Sequence, residues 1–144
     1  MRLVDGDCAV TAASVVIDLL VAHALEEAPN ECCGLIGLFD GALHFPLRAT
    51  NCAPLPELAY EIEGREQWEL ENALALYGLE VGAIYHSHTR ADARPSTSDV
   101  ELARYPELLY VIVGVRDPHA PEVRVFRVVE RGMEEVNLDI RLPG

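Results

Sequence analysis

Lysine is absent from this 144-residue chain. All 11 basic side chains are arginines, set against 24 aspartates and glutamates, and the formal net charge is −13. The missing lysines carry no functional weight, but the surplus of negative charge does. A surface this acidic repels phosphate backbones, which sets nucleic acid aside as a partner. It suits a basic protein or peptide, and it also simply keeps a domain soluble. Low-complexity runs, internal repeats and linkers are absent too, while half of the residues are apolar, so a folded globular domain is expected. No uninterrupted apolar run is long enough to span a bilayer. The stretch 9–25 is broken by Thr11, Ser14, Asp18 and His23 and lacks a basic flank, so it reads as a core helix, neither signal peptide nor membrane anchor. These absences point to the cytoplasm. The length predicts one domain over residues 1–144, burying about 70% of its unfolded surface.

Four cysteines are present, Cys8, Cys32, Cys33 and Cys52, and no two form a C-x-x-C pair. Adjacent Cys32 and Cys33 would point to opposite faces of a strand and cannot share a metal without distortion. Without a secretory signal, reduced buried thiols are expected.

Residues 11–28 read as an amphipathic helix, with Val15, Leu19, Ala22 and Leu25 near helical spacing, ended by Pro29-Asn30. Apolar runs 33–39 and 42–48 flank Asp40-Gly41, a two-residue hairpin signal. A Pro-rich loop over 51–56 leads to a short strand near 58–62. A second helix is predicted over 65–77, burying Trp68, Leu70 or Ala73, and Leu74, and stopping at Gly78. Strand 81–86 carries His86 out at its end. Ser96-Thr97-Ser98-Asp99 opens a short helix over 100–105 that Pro106 terminates. Residues 108–115 are almost wholly apolar, as a central strand should be. After a turn over 117–121, strands 122–130 and 133–140 pair across Arg131-Gly132. The fold class is therefore α+β, an α/β/α sandwich: a mixed, largely antiparallel sheet flanked by two main helices and one short helix.

The most informative pattern is His86-Ser87-His88, followed after ten residues by Asp99. Two imidazoles one residue apart on a strand point the same way. A carboxylate past a Pro-containing loop can swing back to close a third corner. Two nitrogens and one oxygen suit zinc, and three protein ligands leave a fourth position for water, as in catalytic zinc sites. Other carriers of an H-x-H pair are excluded. Barrel amidohydrolases need a far longer chain, metallo-β-lactamase-type sites want a further Asp-His soon after the pair, and cupins want a Glu closer than Glu101. Zinc deaminases want H-x-E with a later P-C-x-x-C.

What remains is H-S-H, seven residues, Ser96, two residues, Asp99, with Glu31 upstream in Asn30-Glu31-Cys32-Cys33-Gly34. This pattern resembles the JAMM (MPN+, Mov34) metalloprotease family, closest to its small stand-alone prokaryotic members. The stretch containing Asn51, Pro56 and Tyr60 fits as well, so the resemblance covers most of the chain. Thr89 departs from it, standing where many members have Pro. The resemblance implies an MPN-like fold with cytidine-deaminase-like layering and one Zn²⁺ per chain, held by His86, His88 and Asp99. It implies Glu31 as the base that deprotonates the attacking water and passes the proton to the leaving amine. It implies Ser96 as a donor to the oxyanion, worth about 3 kcal/mol in comparable sites. The implied substrate is an amide or isopeptide bond at the C-terminal tail of a ubiquitin-like protein, and for the prokaryotic members a sulfur-carrier protein ending in Gly-Gly. The short segments 51–58 and 116–122 leave no room for the insertions with which eukaryotic relatives grip two ubiquitins. Arg90 and Arg94, between two ligands in sequence, are expected to border the substrate channel.

Two readings compete. Cys33 as a nucleophile would need one of the spare histidines, His23, His44 or His119, as its base. A zinc-binding interaction module without catalysis is the other, although no motif residue has been lost here. Oligomeric state is left open by the sequence.

Overall fold

The computed structural model describes residues 9–143, so Cys8 lies outside the described residues. A short strand, β1 (Val10–Ala13), runs into helix α1 (Ser14–Glu27), and a hairpin follows, β2 (Cys33–Phe39) and β3 (Ala42–Ala49). Its turn residues Asp40 and Gly41 both have positive φ, 52° and 77°, the geometry that a two-residue turn matched to strand twist requires. After an extended segment come α2 (Gly64–Leu76), β4 (Glu80–His88), the one-turn helix α3 (Thr97–Glu101) and β5 (Leu109–Gly114). Strands β6 (Glu122–Val129), β7 (Gly132–Val136) and β8 (Leu138–Arg141) complete the chain.

The eight strands form one sheet in the order β7-β6-β5-β4-β2-β3-β1-β8, and the pairs β4–β5, β1–β3 and β1–β8 are parallel. The other pairs are antiparallel, as the sequence predicts. Strands β7 and β8 stand at opposite ends of that order yet only Asn137 separates them in sequence, so the sheet curls enough to bring the end of β7 to the start of β8. Inside the curl, Val16, Leu20 and Ala24 of α1 pack with Ile36, Tyr85, Val111 and Val125. On the other face Leu74 of α2 packs with Leu35, Ile84 and Tyr110. At the centre, β4 is buried from Gly82 to His88. Among the described residues no helix is long and apolar enough to cross a membrane.

Several local expectations are corrected. Residues 10–13 are a strand and not the first turn of a helix, because their backbone pairs with β3 and β8. The stripe Val15, Leu19, Ala22, Leu25 faces outward, and Val16, Leu20, His23 and Ala24 are buried instead. Both stripes of α1 are apolar, so spacing alone could not choose between them. Trp68 is 63% exposed, and Leu74 is the buried residue of α2. Residues 58–62 form no strand, since their backbone bonds go to Asn51 and Cys52 instead of a ladder. Helix α3 starts at Thr97 because Ser96 and Asp99 cap it, and 133–140 breaks at Asn137 where the chain changes partners. Cys32 and Cys33 are free and buried, but Cys52 is exposed.

Candidate active site

Strand β4 presents two different faces. Ile84, His86 and His88 share the α2 side, while Tyr85 and Ser87 face α1. The Tyr85 ring lies across Gly34 of β2, where a Cβ would come within 2.5 Å of it, so only glycine fits after Cys33. Its hydroxyl meets Nδ1 of buried His23 at 2.7 Å, which makes His23 structural. Ser87 accepts the backbone N–H of Cys32 at 2.7 Å and fixes the residue that follows Glu31.

The two histidines emerge at the end of the strand, with Nε2 atoms 3.2 Å apart. Asp99 reaches both: Oδ1 lies 3.2 Å from His86 Nε2 and Oδ2 lies 3.0 Å from His88 Nε2. The ligand atoms of all three residues fall within 4.8 Å of one another. Asp99 is aimed by its place in the first turn of α3, where Ser96 N–H donates to Oδ2 at 2.9 Å and Asp99 N–H donates to Ser96 Oγ at 3.0 Å. Between the ligands, the 89–95 segment folds back over β5. Ala93 is fully buried against Gly114, whose missing side chain leaves the room.

The donor set fits a zinc ion. Nδ1 of His88 lies 2.7 Å from the Asp92 carbonyl, which only accepts, so Nδ1 carries the proton and Nε2 presents its lone pair. Nδ1 of His86 is buried without a partner, and its ring is held by stacking on Tyr60, with centroids 4.3 Å apart. Burial opposes the Asp99 charge, but the two imidazoles outweigh it and hold the carboxyl well below the usual range. Burial lowers the proton affinity of His86, while for His88 the Asp99 contact and the Asp92 carbonyl overcome burial and raise it. A half-buried carboxylate with two buried imidazole nitrogens turned toward it suits a cation among them.

Glu31 precedes β2, is 7% exposed, and its Oε1 has no hydrogen-bond partner. Burial, with Asp99 adding to it and His88 opposing, pushes its carboxyl up to about 7. The fold therefore gathers His86, His88, Ser96 and Asp99, with Glu31 in electrostatic reach of His88 and Asp99. Arg90 and Arg94 are exposed and ion-paired with Glu57 and Glu135 respectively. Cys33 is buried and its thiol is pushed up to about 12, chiefly by desolvation, which removes the thiolate that a nucleophile needs. Leu102 and Arg104, to which sequence reasoning assigns no role, line a pocket with Asp99, Tyr60, Ile62 and Tyr105. Arg104 makes no ion pair among the described residues. Its only sequence signal is its nearness to Asp99.

A family profile described as prokaryotic homologs of the JAB domain matches residues 13–129. The chain belongs to this family. It is 34% identical over 128 residues to the CysO-cysteine peptidase of Mycobacterium tuberculosis, covering 86% of each chain. A desampylase of Haloferax volcanii is 32% identical over 101 residues, covering 66% of this chain and 73% of its own. A probable TtuB-protein conjugate cleaving protease of Thermus thermophilus is 38% identical over 104 residues, covering 70% and 69%. Among solved structures, a Desulfitobacterium hafniense protein superposes with a TM-score of 0.84 at 28% identity, over 93% of this JAB-family chain and 94% of that one. A JAB1/MPN domain protein of Archaeoglobus fulgidus, at 17% identity and a TM-score of 0.59 over 94% and 98%, shares the fold. The expected family and α+β class are thus borne out.

Proposed function

We propose that this protein is a zinc-dependent metallopeptidase that hydrolyses an amide or isopeptide bond at the C-terminal tail of a ubiquitin-like or sulfur-carrier protein. One observation carries the reading: Glu31, buried with an unpartnered carboxylate oxygen, lies in electrostatic reach of His88 and Asp99, which converge with His86. A base next to a three-ligand set is what metal-assisted amide hydrolysis needs. Relatives named for CysO-cysteine peptidase activity, for desampylation and for cleaving TtuB-protein conjugates support the substrate class.

His86, His88 and Asp99 would hold a zinc ion, which would supply Lewis acidity to water and to the scissile carbonyl. Glu31 accepts the proton of the attacking water and delivers it to the leaving amine, and its raised proton affinity suits both transfers. Ser96 Oγ accepts from the Asp99 N–H, which leaves its own O–H free to donate to the developing oxyanion. Tyr60 covers one face of His86 and keeps water from it.

Because Glu31 protonates the amine, the amine departs on the Glu31 side. The acyl-side tail then occupies the pocket that Asp99 shares with Tyr60, Leu102 and Arg104. Arg90 and Arg94 contact carbonyls or a carboxylate of the partner. The test is cleavage of Gly-Gly-tailed carrier conjugates by zinc-loaded protein, with Glu31→Gln as control. Release after the second glycine by wild type alone is expected. Failure of the metal-loaded wild type on every such conjugate overturns the substrate class.

A further inference from the structure

The side chain of Asn51 is saturated with bonds to backbone. Its Nδ2 donates to the carbonyls of Glu31 at 2.9 Å and Ala59 at 3.0 Å, with that of Pro56 at 3.4 Å. Its Oδ1 accepts the N–H groups of Ala53 at 3.0 Å and Glu61 at 3.2 Å. Pro56, inside the loop that Asn51 folds, accepts the Glu31 N–H at 2.8 Å. Glu31 is thereby held at both ends of its backbone, its carbonyl by Asn51 and its amide by the loop. Ala59 and Glu61 flank Tyr60, whose ring stacks on His86. Residues 50–63 contain no strand, so no sheet ladder performs this work.

A loop asparagine that merely shapes its own turn needs only the contact to Ala53, two residues on. The bond to Glu31 spans 20 residues and serves no turn. We propose that Asn51 is a positioning residue of this site, holding Glu31 toward the metal ligands and Tyr60 onto His86 through one planar amide. The inference rests on the function proposed above. It adds that the base is aimed by a side chain that is itself neither a candidate ligand, the base nor the oxyanion donor. Ser87 secures the next residue from the opposite side, so Glu31 sits between two clamps, one on β4 and one in the loop.

Asn51→Asp keeps the shape and the acceptor toward Ala53 and Glu61 but turns a second oxygen toward the carbonyls of Glu31 and Ala59. Asn51→Ser removes the reach without adding charge. Both are read in the zinc-loaded full chain by amide hydrogen exchange, zinc stoichiometry, kcat and KM. Expected are exchange at least about 10-fold faster in segments 29–33 and 57–62 with α1 and β5 unchanged, zinc content unchanged, and kcat lowered about 10–100-fold at nearly constant KM. Unchanged exchange at 29–33 in both variants overturns the inference, as does faster exchange throughout the chain, which makes Asn51 a general structural support. If the wild type cleaves no conjugate, the function proposed above fails, while the exchange comparison still decides the role of Asn51. Activity in the wild type with undiminished kcat in both variants defeats the positioning role alone.

Discussion

Ser96 and Asp99 are bonded to each other twice, each backbone N–H donating to the other's side chain, at 2.9 and 3.0 Å. The pair is a capping box in which the capping acid is also the oxygen ligand of the candidate metal set. Under the proposed function a local helix-start signal becomes part of the chemistry, because the Ser96 N–H orients the Asp99 carboxylate while Ser96 Oγ accepts from the Asp99 N–H and keeps its own proton free.

Ser96→Ala removes both functions of that hydroxyl. It should cost about 1 kcal/mol of stability through the lost cap and lower kcat about 100-fold through the lost oxyanion donor. Thermal unfolding and steady-state kinetics on zinc-loaded protein separate the two. A stability loss with unchanged kcat would leave Ser96 as a cap only.

Glu31→Gln should keep bound zinc and lose activity by about 10²–10⁴-fold, the range of a general base. It should also change the pH dependence of stability once zinc is chelated. The folded-state pKa of Glu31 is raised from 4.5 to about 7, so between those values the native state holds a proton that the unfolded state has lost. Stability attributable to this group therefore falls as pH rises from about 4.5 to about 7. The loss is bounded by about 3 kcal/mol. In denaturant titrations the glutamine variant should be the more stable of the two at pH 8, and equal stabilities there would contradict the burial argument.

Trp68→Ala should change stability by less than about 0.5 kcal/mol, as for an exposed side chain, whereas Leu74→Ala should cost about 2–5 kcal/mol. The contrast follows from their burial, 63% and 0% exposed on the same helix, and denaturant midpoints measure it.

Arg90→Ala and Arg94→Ala should raise KM without changing zinc content. Both side chains are exposed and their ion pairs with Glu57 and Glu135 lie at the surface, so neither variant should destabilise the fold appreciably. Zinc loss in either would mark it as structural.

The site was more legible than parts of the fold around it, for a physical reason. Alternation along a strand fixes which way His86 and His88 point, and a capping signature fixes where Asp99 turns back, so local rules suffice for the candidate ligands. The buried stripe of α1 is not legible in sequence because Val15 and Val16, or Leu19 and Leu20, are alike as residues, and only the curl of the sheet decides which is covered. The break at Asn137 is equally silent in sequence, being set by β1 lying beside β8. Asn51 and Tyr60 stood in a recognisable stretch, but their bonds to Glu31 and His86 exist only once distant segments meet.

The most direct test of the account is bound metal, measured by elemental analysis on wild type, His88→Ala and Asp99→Ala after zinc is supplied and excess removed. The account predicts about one zinc per chain in wild type and its loss in both variants. A wild type that retains no metal under these conditions would contradict it and move the weight to a non-catalytic interaction module.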